Sequence, residues 1–158
     1  MDHETAASIR QLIQQQRWAA LATLDANGPL ASMACYAVEP ASGGLALHLS
    51  QLAQHTRNML EDPRVSLIIS EPDDGREDPQ TLARLSIQGR VVALERDTDD
   101  YNRAGQIYQA RFPASAQRFG FADFVLFRLT PHEVRIVGGF ARAYTLSSDE
   151  FRQLLQEG

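Results

Sequence analysis

The side chains best suited to chemistry are crowded into one window, Ala46 to Ile69, which reads ALHLSQLAQHTRNMLEDPRVSLII. Its apolar pattern predicts a strand over Leu45–Ser50, a short loop, and a helix across Gln54–Glu61. Asp62-Pro63 stops that helix, because the residue before a proline is pushed out of the helical region. Ser50, His55, Thr56, Arg57 and Asn58 therefore gather at a helix start, where free backbone N–H groups and the helix dipole both favour an anion. A hydroxyl, an imidazole and a guanidinium added to that setting suit a phosphate or a carboxylate. A plainer assignment is that Ser50 ends a strand, Thr56 caps a helix and Arg57 points into water. The residues alone leave both open.

Other chemistries find less support. The four histidines, His3, His48, His55 and His132, are scattered, and none stands at metal-ligand spacing from Cys35 or from another histidine. No metal site is expected. Cys35 lies inside an apolar strand and reads as a buried structural thiol. All 15 basic residues are arginines. The absence of lysine removes Schiff-base chemistry and the lysine-bearing phosphate loop of nucleotide hydrolases. The net charge is −5 with no basic stripe, which disfavours nucleic acid as a partner. No apolar run reaches membrane-spanning length, so no membrane association is expected. With no export signal and a single cysteine, a reducing cytoplasm is the expected location.

The elements that must position these groups read as one domain over residues 1–158. Ile9, Leu12 and Ile13 give an amphipathic opening helix over 5–16. Strands follow at Trp18–Leu24 and about Leu30–Val38, joined through a turn at Asp25-Ala26-Asn27-Gly28. After Leu45–Ser50 and the helix comes Val65–Ser70, then an acidic exposed hairpin loop over Glu71–Pro79. Between Thr81 and Leu94 apolar residues alternate with Arg84, Ser86, Gln88 and Arg90, which predicts a long strand with one polar face. A helix over Asp97–Gln109 and a loop or short helical turn over Phe112–Gly120 precede two strands, Asp123–Thr130 and Glu133–Gly138, split at Pro131-His132. Ser147 or Ser148 caps a closing helix through Leu155.

Several of these features, taken in order, resemble the flavin-binding split-barrel family that includes pyridoxamine 5′-phosphate oxidase. They are a first strand followed by Asn-Gly-Pro, the strand ending at Ser50, the Arg57-Asn58 helix start, Asp-Pro-Arg-Val-Ser-Leu over 62–67, and Gln88-Gly89-Arg90-Val91. A narrower resemblance, to the haem-utilisation branch of that family, rests on Ser50–Asn58, Tyr108 with Phe112-Pro113, Phe121–Phe124 and Gly138–Ala143. The resemblance implies a mainly β (α+β) fold: a six- to seven-stranded antiparallel split β-barrel with flanking helices, working as a homodimer with cofactor sites between subunits.

It also implies residue roles. Ser32, Met33 and Ala34 would run along the flavin ring. Ser50, His55, Thr56 and Arg57 would surround the phosphate of FMN with Asn58 in support, Gln88 would reach the cofactor from the long strand, and Arg142 would contact cofactor or substrate across the interface. Phe140 is a further candidate; the other aromatics over 119–127 read as packing. The chain departs from the oxidase where Ser32 and Ala37 replace an Arg and a Lys, and where His55 replaces a Lys. Each change removes a permanent positive charge from the phosphate site. The leading expectation is thus an FMN-dependent oxidoreductase acting on a small molecule, and the alternative is a haem-binding protein using the same cleft without flavin. In the haem branch the implied iron ligand is a C-terminal His, and the last His of this sequence is His132. Asp123 matches an acidic position that supports the ligand there, or serves as a strand-start turn residue.

Overall fold

The computed structural model describes residues 1–138 and 142–157. Its strands are β1 (Trp18–Asp25), β2 (Gly28–Cys35), β3 (Ala37–Glu39), β4 (Gly44–Ser50), β5 (Arg64–Ser70), β6 (Arg84–Ala93), β7 (Phe124–Val137) and β8 (Ala143–Ser147). The helices are α1 (His3–Gln15), α2 (Gln54–Glu61), α3 (Asp99–Arg111) and α4 (Ser148–Gln156), with 3₁₀ turns at Pro79–Thr81 and Pro113–Gly120. The strands pair antiparallel in the order β2-β1-β5-β6-β7-β4-β3, and β8 adds to β7. This is the expected split barrel, an antiparallel half-barrel with helices on its flanks. No described helix is long and apolar enough to cross a membrane.

Alternation along the strands sets an inward face of Leu21, Leu67, Ile69, Leu85, Ile87 and Phe127, closed by Ile9 and Ile13 of α1 and Phe151 of α4. A second, smaller core of Ala46, Leu126, Ala104 and Tyr108 joins the other face of β4 and β7 to α3. Local chemistry fixes the ends of the elements. Ser147 caps α4 in a reciprocal pair with Glu150, and Thr98 caps α3. At the β1–β2 hairpin Gly28 takes φ +118°, a conformation other residues resist, while the Asp25 side chain accepts from Asn27 N.

Three expectations are corrected. The run Leu30–Val38 is not one strand: Tyr36, fully buried, turns its hydroxyl to the carbonyl oxygens of Ile13 and Gln16 at 2.8 and 2.6 Å. The chain bends there, so β2 pairs with β1 and β3 pairs with β4. Conversely, Pro131-His132 does not split the last strand. The register passes from Gly89↔Pro131 to Gln88↔Glu133, so His132 is an extra residue in a β-bulge and β7 runs on for 14 residues. Finally, Ala143–Ser147 forms β8, a strand the sequence reading left out.

Candidate functional site

The helix start of α2 is assembled as expected, but its polar groups are mostly committed to one another. Ser50 Oγ donates to Asp123 Oδ2 at 2.6 Å and accepts from Leu52 N, while Gln51 N donates to the Asp123 carbonyl. Asp123 therefore ties the end of β4 to the start of β7. Arg57 folds back on the loop before its own helix, donating to the carbonyls of Gln51 and Leu52 and to Gln54 Oε1. Asn58 is buried, donating to Thr23 Oγ1 and accepting from Gln54. Thr56 is buried inside the helix rather than at its cap; Ala53 holds that position without a side-chain bond.

His55 reaches across to β2, its Nδ1 lying 2.9 Å from Ser32 Oγ. Burial pushes its pKa below the usual histidine value, which favours a neutral imidazole. Ser32 stands opposite Leu21 and Ala34 opposite Ala19, on the inward side of the sheet; Met33, opposite Ala20, is on the outward side.

Gln88 is also on the outward face, cross-strand from Ser66 and Glu133. Beside it lies an open recess of about 380 Å³. Ala22, Leu24, Pro29 and Val65 give it apolar walls, and Arg64, Arg90, Gln88 and His132 give it polar groups. Arg64 and Arg90 are direct cross-strand partners. Like charges so placed repel unless an anion lies near them, and the Asp62 carboxylate, bonded to Arg64 and held below its usual pKa by Arg64 and Arg90, already offsets part of that repulsion. Arg64 is held by the Asp62 carboxylate at 2.6 Å, whereas Arg90 has no ion-pair partner among the described residues. Sequence reasoning placed Arg90 on the polar face but missed Arg64 and His132 as its neighbours. The signal was available only in the register of β5, β6 and β7.

The remaining candidates are elsewhere. Arg142 donates to Thr5 Oγ1 at 3.3 Å, beside α1. Phe140, Gly139 and Ala141 lie outside the described residues. Cys35 ends β2 half-buried, and burial raises its pKa.

His48, one of the scattered histidines, is buried on β4 against α3 and the Pro113–Gly120 turn. Its ring stacks on Phe119 with centroids 3.8 Å apart and meets the edge of Tyr108 at 5.8 Å. Neither ring nitrogen has a hydrogen-bond partner among the described residues. Burial, with Arg118 and Arg96 nearby, pushes its pKa down to about 4. The unfolded chain binds the proton near pH 6.5 and the folded chain resists it, so this contribution to stability is complete above 6.5 and lost as pH falls toward 4. The expected loss over that window is up to about 3 kcal/mol. Urea unfolding of wild type and His48→Leu at pH 7.5 and 5 checks it: the variant should lose clearly less on acidification.

Comparison with known proteins gives four results. A family model described as "CREG, beta-barrel" matches residues 1–153. The heme oxygenase HutZ of Vibrio cholerae is 32% identical over 163 residues, covering 95% of this chain and 86% of the relative. The structure of a heme binding protein from Mycobacterium smegmatis superposes with a TM-score of 0.84 at 27% identity, covering 97% of this chain; the chain spans 62% of that protein. A protein of the pyridoxinephosphate oxidase family from Clostridium acetobutylicum shares the fold, with a TM-score of 0.68 at 13% identity over 96% of this chain and 99% of the other.

Proposed function

We propose that this chain, which belongs to the CREG β-barrel family, is a haem-binding protein and that the recess on its outward sheet face receives the macrocycle. The observation that carries this reading is the facing pair Arg64 and Arg90 at the edge of an apolar-walled hollow. Haem is a flat apolar ring with anionic carboxylates at one edge and an iron that takes an axial donor. The recess offers each counterpart: apolar walls, the guanidinium of Arg90 beside the Asp62-bound Arg64, and an imidazole. The residues fit the group, and bound haem would supply iron redox chemistry at this place. The names of the Vibrio and Mycobacterium relatives, a heme oxygenase and a heme binding protein, support the same ligand.

The flavin reading has weaker support from the geometry. The residues expected around an FMN phosphate are engaged elsewhere: Ser50 faces the Asp123 carboxylate, and Arg57 serves its own loop. A free anion there would meet one negative charge and no uncommitted cation.

The recess is small for a whole macrocycle, near the low end of ligand sites. We therefore take a second copy of the chain as its other wall. The outward sheet face suits this, with Ala20, Ala22, Ala31 and Ser66 making it flat and Trp18, Met33 and Ile68 exposed upon it.

The test is absorbance titration with haemin and, separately, with FMN, with the mass of the loaded species measured by sedimentation. A saturable Soret band on a species of twice the chain mass is the expected result, with little FMN uptake. FMN binding without a Soret band would reverse the assignment. If the Soret band forms, a reductant then separates storage from breakdown: a persisting band means storage, and bleaching with iron release means oxygenase turnover.

A further inference from the structure

We infer that His132 is the side chain that coordinates the iron when haem occupies the outward recess, an assignment that rests on the haem reading above. Iron in haem is held by His, Cys, Met or Tyr. Among the described residues lining the recess, His132 is the only side chain of those four types. Its ring is exposed and makes no hydrogen bond to the described chain, so no partner must be displaced before it binds a metal.

The other histidines are placed for different work. His48 is walled in by Phe119, Tyr108 and Phe124. His55 is engaged with Ser32 on the inward side of the sheet. His3 begins α1 and does not line the recess.

The position of His132 follows from the backbone. It is the residue added by the β-bulge, and strict alternation would not place His132 and Glu133 both away from the core. Two neighbours pin the bulge. Pro131 is buried against β6 with no N–H to offer the ladder. Gly89 lets the β7 backbone come so close that a Cβ there would lie 2.2 Å from the Thr130 carbonyl oxygen.

The strands then set the spacing between donor and cations. Arg64 is on β5, Arg90 on β6 and His132 on β7. Two strand spacings, roughly 10 Å, separate the first from the last. That is comparable to the reach from the centre of a porphyrin to a carboxylate at its edge. With haem bound, His132 would hold the iron while Arg90 and Arg64 would be in reach of its carboxylates.

The experiment is haemin titration of wild type, His132→Ala, Arg90→Ala and His55→Ala, each as the full chain, read by Soret position and apparent Kd. His132→Ala should move the Soret maximum and weaken haemin binding at least tenfold, with added imidazole restoring the wild-type band. Arg90→Ala should weaken binding without moving the band. His55→Ala should change neither. A wild-type band and affinity in His132→Ala would overturn the ligand assignment while leaving haem binding intact. Absence of any Soret band in wild type would instead remove the haem reading itself. His132 is exposed and outside the core, so its removal should not unfold the chain; circular dichroism of the variant confirms this before titration.

Discussion

Replacing Arg128 with methionine should lower the unfolding free energy by about 3–5 kcal/mol, the cost of leaving a buried charge without its partner. Arg128 stands on the face of β7 that looks toward α3 and holds two carboxylates at once. Its Nε and Nη2 donate to Glu39 of β3 at 2.5 and 3.1 Å, and its Nη1 and Nη2 donate to Asp100 of α3 at 2.8 and 2.7 Å. The two contacts are not equal. Asp100 is half-exposed, and water can replace much of what it loses. Glu39 is 4% exposed, and Arg128 is its only cationic partner among the described residues. Once Arg128 is gone, that carboxylate must stay charged in a poor solvent, take up a proton, or pull β3 open.

The pair Arg128→Met and Glu39→Leu separates these costs. If the buried charge is the cause, the double variant recovers most of the loss; if lost packing is the cause, it recovers none. Urea midpoints at pH 7 for the two single variants and the double variant decide it. A loss below about 1 kcal/mol in Arg128→Met would place this network with surface ion pairs instead. Arg128 also pulls the pKa of Asp100 below the usual carboxylate range. Asp100 thus adds stability above its ordinary pKa and loses it on acidification.

Much of the fold is legible in local pattern. The alternation of Leu85, Ile87, Gln88 and Arg90 fixes β6 and its two faces, and the β1–β2 hairpin follows from Asp25-Ala26-Asn27-Gly28. Asp62-Pro63 ends α2 where expected. What local pattern missed depends on partners distant in the sequence. Tyr36 breaks a strand because its hydroxyl finds α1, some 20 residues earlier. Pro131 stays inside a strand because Gly89, on another strand, makes room for a bulge.

The candidate site shows the same division. Type and order of residues point to the α2 helix start, and the structure does bring Ser50, His55, Thr56, Arg57 and Asn58 to one end of the barrel. It also satisfies most of them internally, which their identities could not reveal. Gln88 and Met33 share the outward face, away from that group, because Ser32 and Met33 are neighbours in sequence and opposites in a strand. The facing arginines are separated by 26 positions and meet only through the β5–β6 register (Arg64↔Arg90).

Gly89→Ala tests whether that close approach of β6 and β7 is as tight as the geometry states. An added Cβ would stand 2.2 Å from Thr130 O, 2.9 Å from Thr130 C and 3.1 Å from Leu129 Cδ2. The first two are backbone atoms, which cannot swing aside as the end of a side chain could. The strands must separate, and they do so at the most extensive pairing in the sheet. The expected cost is about 3 kcal/mol, the upper end for forcing extra volume into a packed interior. Gly120→Ala is the control, since its Cβ would meet nothing within 4 Å and its backbone is not in a glycine-only conformation. That variant should stay within about 0.5 kcal/mol of wild type. The same substitution at Gly89 displaces the bulge that sets out His132, so haemin affinity should fall under conditions where the variant is still folded. Lost stability with unchanged haemin affinity would separate the bulge from the ligand and leave Gly89 a purely structural residue. Unchanged stability would mean that the two strands are not pressed together here, and the bulge would then need another cause.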